Sequence, residues 1–591
     1  MKPATSFKAA SIEFNPKLND LDDNIQKLKE AVTEAASNGA KLIVTPEMAT
    51  TGYHYEDRKA ISPYVDTIPG KTTMAFEEIA RKYDTYIVIG MAEIDKEDGL
   101  YYNSAVLIGP KGYIGKYRKI HLWAVEDNWA SGGNLGVPVF ETEIGNISII
   151  ICMDSSYFES ARVAAVNGAN ILCFPTNSTG GSISMLQAWA EMNGMYVVGA
   201  NRSNTEDGYH MVGASAIWSP EGKKLAESPY IEKNRVRNSP TIIYADIDPA
   251  QYDNDSKRRI KKRRPDIYYD LMLHGGPWKN KKQKIGSGTE NIMESHVNFS
   301  AGLVQYTPDV GDKNGNLKKI NALLSEASIR TREKGSVLSL FVFPELSLIG
   351  PVNSLEVNAI FKLSETMDGL TVNEMKRLAK KYKAYIAFGM IEREGTMLFN
   401  TAVLLKPNGQ VGLKVRKIHL TDSEEQWATP GEEIKVKYIK GLGNVGLMVG
   451  YDASYPELAG IMAIKHAEFI IIPSIWSGEF GQTLTLHPKM MENNFPLNSM
   501  TTWDAVARFS QTRTLIANFT GTEQKCKGGS ALYTLDPIYS NDIPFVASSH
   551  KEEVFIVKVP KIQTDWWFDQ QKLRLSRRPH FYHPLILDNS L

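Results

Sequence analysis

The sequence is short of the residues and runs that mark several classes of protein. Only three cysteines occur among its 591 residues. A number so small, and not even, argues against a disulfide scaffold and favours a reducing compartment. No uncharged apolar run reaches about 18 residues, so no membrane span is predicted. The N-terminal residues lack the apolar core of a secretory signal. These absences predict a cytoplasmic protein.

Neither sign of charge prevails. The 67 Lys and Arg residues balance 67 Asp and Glu residues, so no overall field would steer nucleic acid or an anionic membrane to the protein. Glycine and proline, at 45 and 28 residues, occur at an ordinary globular frequency, which excludes collagen and low-complexity chains. The basic run KRRIKKRR at 257–264 could bind nucleic acid, but the balanced charge favours a solvated tail or a subunit contact. We predict neither nucleic-acid nor membrane binding.

The chain repeats itself at a spacing of 298 residues. TPEMATTG matches FPELSLIG, YRKIHLWAVEDNWASGG matches VRKIHLTDSEEQWATPG, and NISIIICMDSSYFE matches NVGLMVGYDASYPE. A period near half the chain length indicates duplication of a whole domain. Between the copies, KNKKQKIGSGTENIMESH has the polar composition of a linker. We predict a first domain over 1–278, a linker over 279–296 and a second domain over 297–591.

Each half alternates between two hydrophobic patterns. In the first half, KLIV, YIVIG, SAVLIG, ISIII and ILCFP are short apolar runs that predict buried strands. The intervening NIQKLKEAVTEAASNGA and TTMAFEEIARKY have the three- and four-residue apolar spacing of helices. This alternation predicts an α/β fold, and the nearly continuous apolar strands predict a sheet that is covered on both faces.

Three residue types that can do chemistry stand at the ends of predicted strands. Cys152 lies between a predicted strand and a predicted helix, where free N–H groups favour a thiolate, although most free cysteines are simply buried. Glu47 could serve as a base and Lys119 could stabilise an oxyanion, although each alone is more often structural. Together the three would converge on one rim of the sheet. Cys173 is predicted to lie in the core, and Cys526, between two lysines, at the surface.

The string PE…RKIHL…CMDSSYFE resembles the nitrilase, or carbon–nitrogen hydrolase, superfamily, and both halves carry the resemblance. It implies an α-β-β-α sandwich for each half. The halves would then pair as an intramolecular pseudo-dimer, which could associate further into a homo-oligomer. The resemblance also implies a small-molecule substrate, with water as the second reactant and without a metal or organic cofactor.

The resemblance assigns roles to residues of the first half. Glu47 would be the base, Lys119 the oxyanion stabiliser and Cys152 the nucleophile that forms a thioester. Glu126 matches the position of a second family glutamate, with the adjacent Asp127 as the alternative. Substrate contacts are predicted for Met153, whose backbone N–H would share the oxyanion, and for Trp123, Trp129 and Tyr157.

The residues after the cysteine bear on the substrate. Cys152-Met153-Asp154 resembles the amidase and carbamoylase branches, whereas similar nitrile hydrolysers carry Cys-Trp-Glu. We therefore predict hydrolysis of a non-peptide amide or carbamoyl bond. Two alternatives stay open, namely nitrile hydrolysis and a catalytically silent protein that binds a ligand or regulates.

The second half departs from this pattern at one decisive position. Glu345, Lys417 and Glu424 are retained, but Gly450 stands where the first half has its cysteine. Since glycine offers no nucleophile, we predict that the second half is catalytically inactive. It would either only complete the fold, which is the more common fate of a lost site, or bind a regulatory ligand.

Overall fold

The chain is described by a computed structural model. It covers residues 5–588 apart from 234, 236, 238, 274–298, 335, 479–480, 522–524, 540–541 and 561–566, so the predicted linker lies outside the described residues. The chain forms two compact units. The first comprises Met1–Lys262, Thr485–Asn493 and Ser576–Leu591, and the second comprises Arg263–Leu484 and Asn494–Leu575. Each unit therefore includes a tail from the other half of the sequence.

The first unit contains two six-stranded sheets. In spatial order the strands of one are Thr241–Ile247, Phe7–Glu13, Ala40–Val44, Tyr86–Ile94, Tyr101–Gly109 and Gly112–Arg118. Those of the other are Lys224–Glu227, Ala216–Trp218, Tyr196–Ala200, Ile171–Pro175, Ile147–Ile149 and Val139–Phe140. The sheets face each other, as the buried hydrogen bond from Ser11 Oγ to the Gly199 carbonyl shows.

Helices cover the outer faces of both sheets. Their bounds are Leu21–Ser37, Arg58–Ile61, Lys71–Tyr83, Phe158–Val166, Leu186–Asn193 and Asp255–Lys261. Leu28 and Phe76, from two helices at the spacing expected of amphipathic faces, pack with Ile43 and Ile87 against the first sheet. Trp189 packs edge-on against Phe174 of the second sheet at 5.2 Å. The predicted four-layer α-β-β-α order is confirmed in this unit.

The second unit repeats the architecture. One sheet has the strands Val411–Arg416, Met397–Leu405, Tyr385–Glu394, Leu338–Val342, Phe299–Gln305 and Glu553–Val559. The other has Val436–Ile439, Gly443–Leu447, Phe469–Pro473, Arg513–Ala517, Ala531–Tyr533 and Phe545–Val546. The helices are Lys313–Glu333, Val357–Leu363, Leu370–Tyr382, Pro456–Ile464, Thr501–Ser510 and Gln570–Ser576. The helix Pro488–Asn494 falls almost entirely within the segment that belongs to the first unit. Among the described residues, no helix is both long enough and apolar enough to cross a membrane.

Two expectations about single residues are decided by burial. Cys173 lies in the core, as predicted, with no exposed surface. The prediction that Cys526 is exposed was wrong, because it is 7% exposed and packs with Tyr306 and Phe519. Cys526 pairs with Gly521 in a short hairpin, and this pairing turns its side chain inward while the flanking lysines point out.

The basic run is only partly a solvated segment. Lys257 donates a hydrogen bond to the Ala169 carbonyl, and Arg259 donates one to the Glu191 carbonyl. Burial lowers the pKa of Lys257 to about 8. Arg263 is buried in the second unit, where it lies 3.9 Å from Glu457. The expectation of a solvated tail was therefore wrong for these side chains, because internal acceptors hold them.

Candidate active site

Cys152 stands on a sharp turn at the end of a strand. The strand Ile147–Ile149 ends shortly before it, and a 3₁₀ helix runs over Cys152–Ser156. Its φ of +42° is rare for a residue with a side chain and turns the thiol away from the strand direction. Cys152 Sγ lies 3.8 Å from Ser182 Oγ and 4.0 Å from the Asn177 carbonyl. The N–H of Met153 lies in the first turn, where helical N–H groups lack an intrahelical acceptor.

Glu47 follows a strand of the first sheet and is placed by a second strained turn. It follows the strand Ala40–Val44, and the next residue, Met48, has a φ of +51°. The neighbouring strand comes so close that a Cβ on Gly90 would lie 2.2 Å from the Pro46 carbonyl and 2.9 Å from Glu47 Cα. Only glycine fits at that position. The Glu47 side chain is fully buried.

Lys119 joins two carboxylates in the interior. Its Nζ lies 2.7 Å from Glu47 Oε1 and 2.6 Å from Glu126 Oε2, and all three side chains have no exposed surface. Asn103 donates through Nδ2 to the same two carboxylates. One lysine and one amide thus fix the relative positions of two acids.

The choice between the two adjacent acids follows from the local helix. Glu126 lies on the 3₁₀ helix Ala124–Asn128, and its Oε2 also accepts from the Trp123 N–H at 2.7 Å. Asp127 is exposed. The geometry therefore places Glu126, and not Asp127, against Lys119.

The buried groups of the site shift the pKa values of their neighbours. Burial raises the pKa of the Cys152 thiol to about 12, the charge of Glu47 adds to this rise, and Lys119 opposes it. Burial also raises the pKa of Glu47, against the opposing effect of Lys119. Burial alone would lower the pKa of Lys119, but Glu126 and Glu47 raise it above its usual range. Burial and the charge of Glu47 thus favour the neutral form of the Cys152 thiol.

Replacing the base should make the thiol more acidic. Glu47→Gln removes a negative charge beside Cys152 and leaves Lys119, so the thiolate is stabilised and the pKa of Cys152 falls, by about one unit or more. The pH dependence of Cys152 alkylation by chloroacetamide measures this shift. Glu78→Gln, at an exposed helical position, is the matched control and should leave the midpoint unchanged. An unchanged or higher midpoint in Glu47→Gln would contradict the prediction.

A second hydrogen-bond network, centred on Asp154, fixes the turn that carries Cys152. Asp154 accepts from the Ile151 N–H at 3.0 Å, from the Tyr117 hydroxyl at 2.6 Å and from His121 Nδ1 at 2.7 Å. The other ring nitrogen, His121 Nε2, lies 2.8 Å from the Tyr582 hydroxyl. The network ties the cysteine turn to the segment that carries the buried lysine. Because both repeats contain IHL and an aligned Asp, the repeat itself held the signal for two of its members.

The hydrogen-bond partner of His121 Nε2 can be removed by deleting one oxygen atom, that of the Tyr582 hydroxyl. We expect Tyr582→Phe to lower the free energy of unfolding by about 1–3 kcal/mol, because a buried ring nitrogen loses its hydrogen bond. Tyr268→Phe is the matched variant in the second unit, where the Tyr268 hydroxyl lies 2.6 Å from His419 Nε2. Denaturant unfolding should give similar losses, but only Tyr582→Phe should also slow the reaction. An equal effect of both on turnover would contradict the assignment.

The predicted substrate contacts fall into two groups. Trp123 is partly exposed, tilts against Tyr53 at 6.1 Å and meets Tyr209 edge-on at 4.9 Å. Lys119 Nζ lies 5.8 Å from the Tyr53 ring centroid. The rings of Tyr53, Trp123 and Tyr209 form an aromatic wall from the surface to the buried lysine. Of the three, only Trp123 was predicted from the sequence.

The remaining predicted contacts are Trp129, Tyr157 and Met153, all of which are buried. Trp129 is buried in an apolar cluster that includes Met48 and Tyr55. Tyr157 is 1% exposed and stacks on the His121 ring at 3.6 Å, which assigns it to the packing beneath the cysteine turn. The Met153 side chain is buried, and its sulfur lies 3.6 Å from Ser156 Oγ.

The second unit keeps the charged network without the thiol. Lys417 Nζ lies 2.8 Å from Glu345 Oε1 and 2.7 Å from Glu424 Oε1, and Asn400 donates to both acids. A Cβ on Gly450 would lie 2.3 Å from Glu345 Oε2. That oxygen accepts from the Ile475 N–H at 3.0 Å. A carboxylate therefore fills the place of the missing nucleophile.

Comparisons with known proteins match both halves. The family model for carbon-nitrogen hydrolases matches residues 8–256 and 300–528. A nitrilase from Pyrococcus abyssi is 35% identical over 273 residues, which is 44% of this chain and 99% of the nitrilase. A formamidase from Bacillus cereus is 29% identical over 268 residues, which is 43% of this chain and 77% of the formamidase. A mutant amidase from Nesterenkonia sp. in complex with acrylamide aligns at 20% identity and a TM-score of 0.38, over 46% of this chain and 98% of the amidase.

Proposed function

Since the chain belongs to the carbon–nitrogen hydrolase family, we propose that its first unit cleaves an amide or carbamoyl bond of a small uncharged molecule through a thioester on Cys152. The observation that carries the proposal is the state of the two Glu47 oxygens. Oε1 accepts from Lys119 and Asn103, whereas Oε2 is buried and has no hydrogen-bond partner among the described residues. A buried carboxylate oxygen without a donor can accept a proton from the neighbouring thiol.

The first half of the reaction forms the thioester. Glu47 takes the thiol proton while the sulfur attacks the carbonyl carbon, and the carbonyl π electrons move to oxygen. Lys119 and the Met153 N–H stabilise this oxyanion, which is where positioned charge contributes most. When the oxyanion collapses, the carbon–nitrogen bond breaks. The leaving nitrogen takes the proton from Glu47 and departs as ammonia or an amine.

The second half releases the acid. Glu47 takes a proton from water, whose oxygen attacks the thioester carbon, and the carbon–sulfur bond breaks as the sulfur recovers the proton. Glu126 touches Lys119 but not the reacting atoms in this scheme, so it acts as a positioning residue. The sum is one amide and one water converted to one carboxylic or carbamic acid and one amine, and no other reactant is needed.

The walls and charge of the site favour an uncharged substrate. Lys119 already faces two carboxylates, so the buried network is net negative when both are ionised and would repel a substrate carboxylate. The aromatic wall of Tyr53, Trp123 and Tyr209 offers flat apolar contacts. One relative is named formamidase, which indicates an amide substrate for that protein.

Release of ammonia from a panel of simple amides and carbamoyl compounds tests the proposal. Intact-mass spectrometry should also detect an acyl adduct that is located on Cys152 and absent from Cys152→Ser. Cys173→Ser, at a core position, is the control that should keep the adduct. Ammonia release without an adduct on Cys152, or no turnover across the panel, would refute the mechanism.

Nitrile hydrolysis is the second candidate. It is favoured by the 35% identity to a protein named nitrilase. The same cysteine would attack a nitrile carbon to form a thioimidate. One water would convert the thioimidate to a thioester with release of ammonia, and a second water would release the acid. Comparing kcat/KM for benzonitrile and benzamide separates the two, and we expect benzamide to be preferred.

A further inference from the structure

The second unit contains a cavity that the charged network does not use. It has a volume of about 700 Å³, a size that suits a small organic molecule. Its wall includes the ring of Trp476, hydroxyl groups such as those of Thr307 and Ser477, and the basic residues Lys525, Lys527 and His550. Glu345, Lys417 and Glu424 do not line it, so it is separate from the inactive centre.

Basic side chains line the cavity, and the carboxylate of Glu552 contacts it only through the Thr307 N–H, which donates to Glu552 Oε1 at 2.8 Å. No acidic residue is among the described residues that line it. Lys525 and Lys527 are exposed, and within the described ranges neither ammonium has a carboxylate partner. Two unpaired ammonium groups beside several hydroxyl groups are suited to bind an oxyanion. Because the lysines lie at the solvent side, a ligand could enter past them.

One wall of the cavity is held rigidly. The Trp476 N–H donates to Asn518 Oδ1 at 2.8 Å, and its indole N–H donates to the Gly481 carbonyl at 3.2 Å. Asn518 Nδ2 in turn donates to the Gly528 carbonyl at 2.9 Å, which fixes the end of the hairpin that carries the lysines. A flat ring is thus held in place beside the basic groups, as in many preformed small-molecule sites.

The first unit differs at the corresponding positions. Asn201 corresponds to Asn518, because each accepts a backbone N–H at the same point after its strand. The hairpin ladders align Tyr209–His210 with Cys526–Lys527, so Lys527 replaces His210, and the residue two before it, Lys525, aligns with Gly208. His210 has both ring nitrogens bonded, to Thr205 Oγ1 and to the Ile231 carbonyl. The first-unit hairpin also carries Glu206 and Asp207, which pair with Arg202 and His54. The second unit instead has two lysines that have no carboxylate partner within the described ranges.

We propose that this cavity binds a small organic molecule that carries a carboxylate or phosphate group. The anionic group lies between Lys525 and Lys527, and its flat or apolar body lies against Trp476. The two anions share the chemistry that the lysines recognise, and the experiment distinguishes them. The proposal does not depend on turnover in the first unit.

Calorimetric titration of the full-length protein with benzoate, benzamide and phenyl phosphate tests the site. At least one of the two anions should bind saturably, and Lys525→Met/Lys527→Met should raise its Kd at least about tenfold. Added salt should weaken this binding, because part of it is electrostatic. Binding of the neutral isostere benzamide should not respond to the double substitution. Whichever anion shows the loss identifies the group that the site recognises.

The control removes the same charge elsewhere in the unit. Lys437 and Lys440 are exposed, and Lys437→Met/Lys440→Met should leave the anion Kd unchanged. Trp476→Phe is a second test that keeps the lysines and a ring, and should weaken phenyl phosphate or benzoate severalfold. Thermal unfolding verifies that the variants are folded. If neither anion binds, or if the lysine and control variants behave alike, the proposal is wrong.

Discussion

Lys119→Met should lower kcat by about a thousandfold or more, while Lys417→Met should leave it within about threefold. The two lysines occupy equivalent places, each fully or nearly buried and each bridging two glutamates at 2.6–2.8 Å. They differ in what stands beside them, since only Lys119 has a thiol as a neighbour. Steady-state kinetics of both variants on the same amide would measure the difference.

The same pair should have similar effects on stability. Removing either lysine leaves two buried carboxylates without a counter-charge, which costs about 3–5 kcal/mol in the free energy of unfolding. Denaturant melts of the two variants therefore control for each other. A loss of kcat that merely followed the loss of stability, with equal kinetic effects in both variants, would contradict a catalytic role for Lys119.

Gly450→Cys should fail to rescue the inactive Cys152→Ala protein. Cys152→Ala should lose at least about four orders of magnitude in kcat, as removal of a covalent nucleophile does. The second unit offers a glutamate, a lysine and a further glutamate in the right places, but Glu345 Oε2 lies 2.3 Å from the position of a new Cβ. The added thiol must displace a carboxylate that is bonded to the Ile475 N–H.

The measurement is ammonia release by Cys152→Ala with and without Gly450→Cys. Titration of the denatured protein with a thiol reagent verifies that the new cysteine is present. Recovery to about one hundredth of the original rate would show that the second unit lost only its nucleophile. No recovery would show that the surrounding carboxylate has also moved into a position incompatible with catalysis.

The sequence predicts those residues of the site that directly follow a predicted strand. Glu47, Lys119 and Cys152 each follow a predicted strand, which indicated that they lie close together. The expectation of one sheet rim was wrong, because Cys152 follows a strand of the second sheet and the other two follow strands of the first. Sequence could not decide between Glu126 and Asp127, because the choice depends on how one turn of 3₁₀ helix is oriented. Asn103 lies within a strand-like string and gave no chemical signal, although the repeat preserves it as Asn400.

The packing of the segments 263–270 and 577–584 is a second feature that the sequence does not predict. RRPDIYYD and RRPHFYHP share four of eight residues, among them the tyrosines that contact the two buried histidines. Which of the two segments packs beside which histidine depends on the tertiary structure, which local sequence patterns do not specify. The burial of Cys526 was missed for a related reason, since charged neighbours describe the outer side of a two-residue strand and not its inner side.

The origin of Tyr582 has a consequence for how the protein is made. The hydroxyl that meets His121 comes from 461 residues further along the chain. At about 5–20 residues per second, a ribosome needs roughly 20–90 s after adding His121 before it adds this tyrosine. Once Lys262 has been added, the main segment of the first unit is translated but still lacks one piece of its interior. Its maturation must therefore wait until Tyr582 has been synthesised.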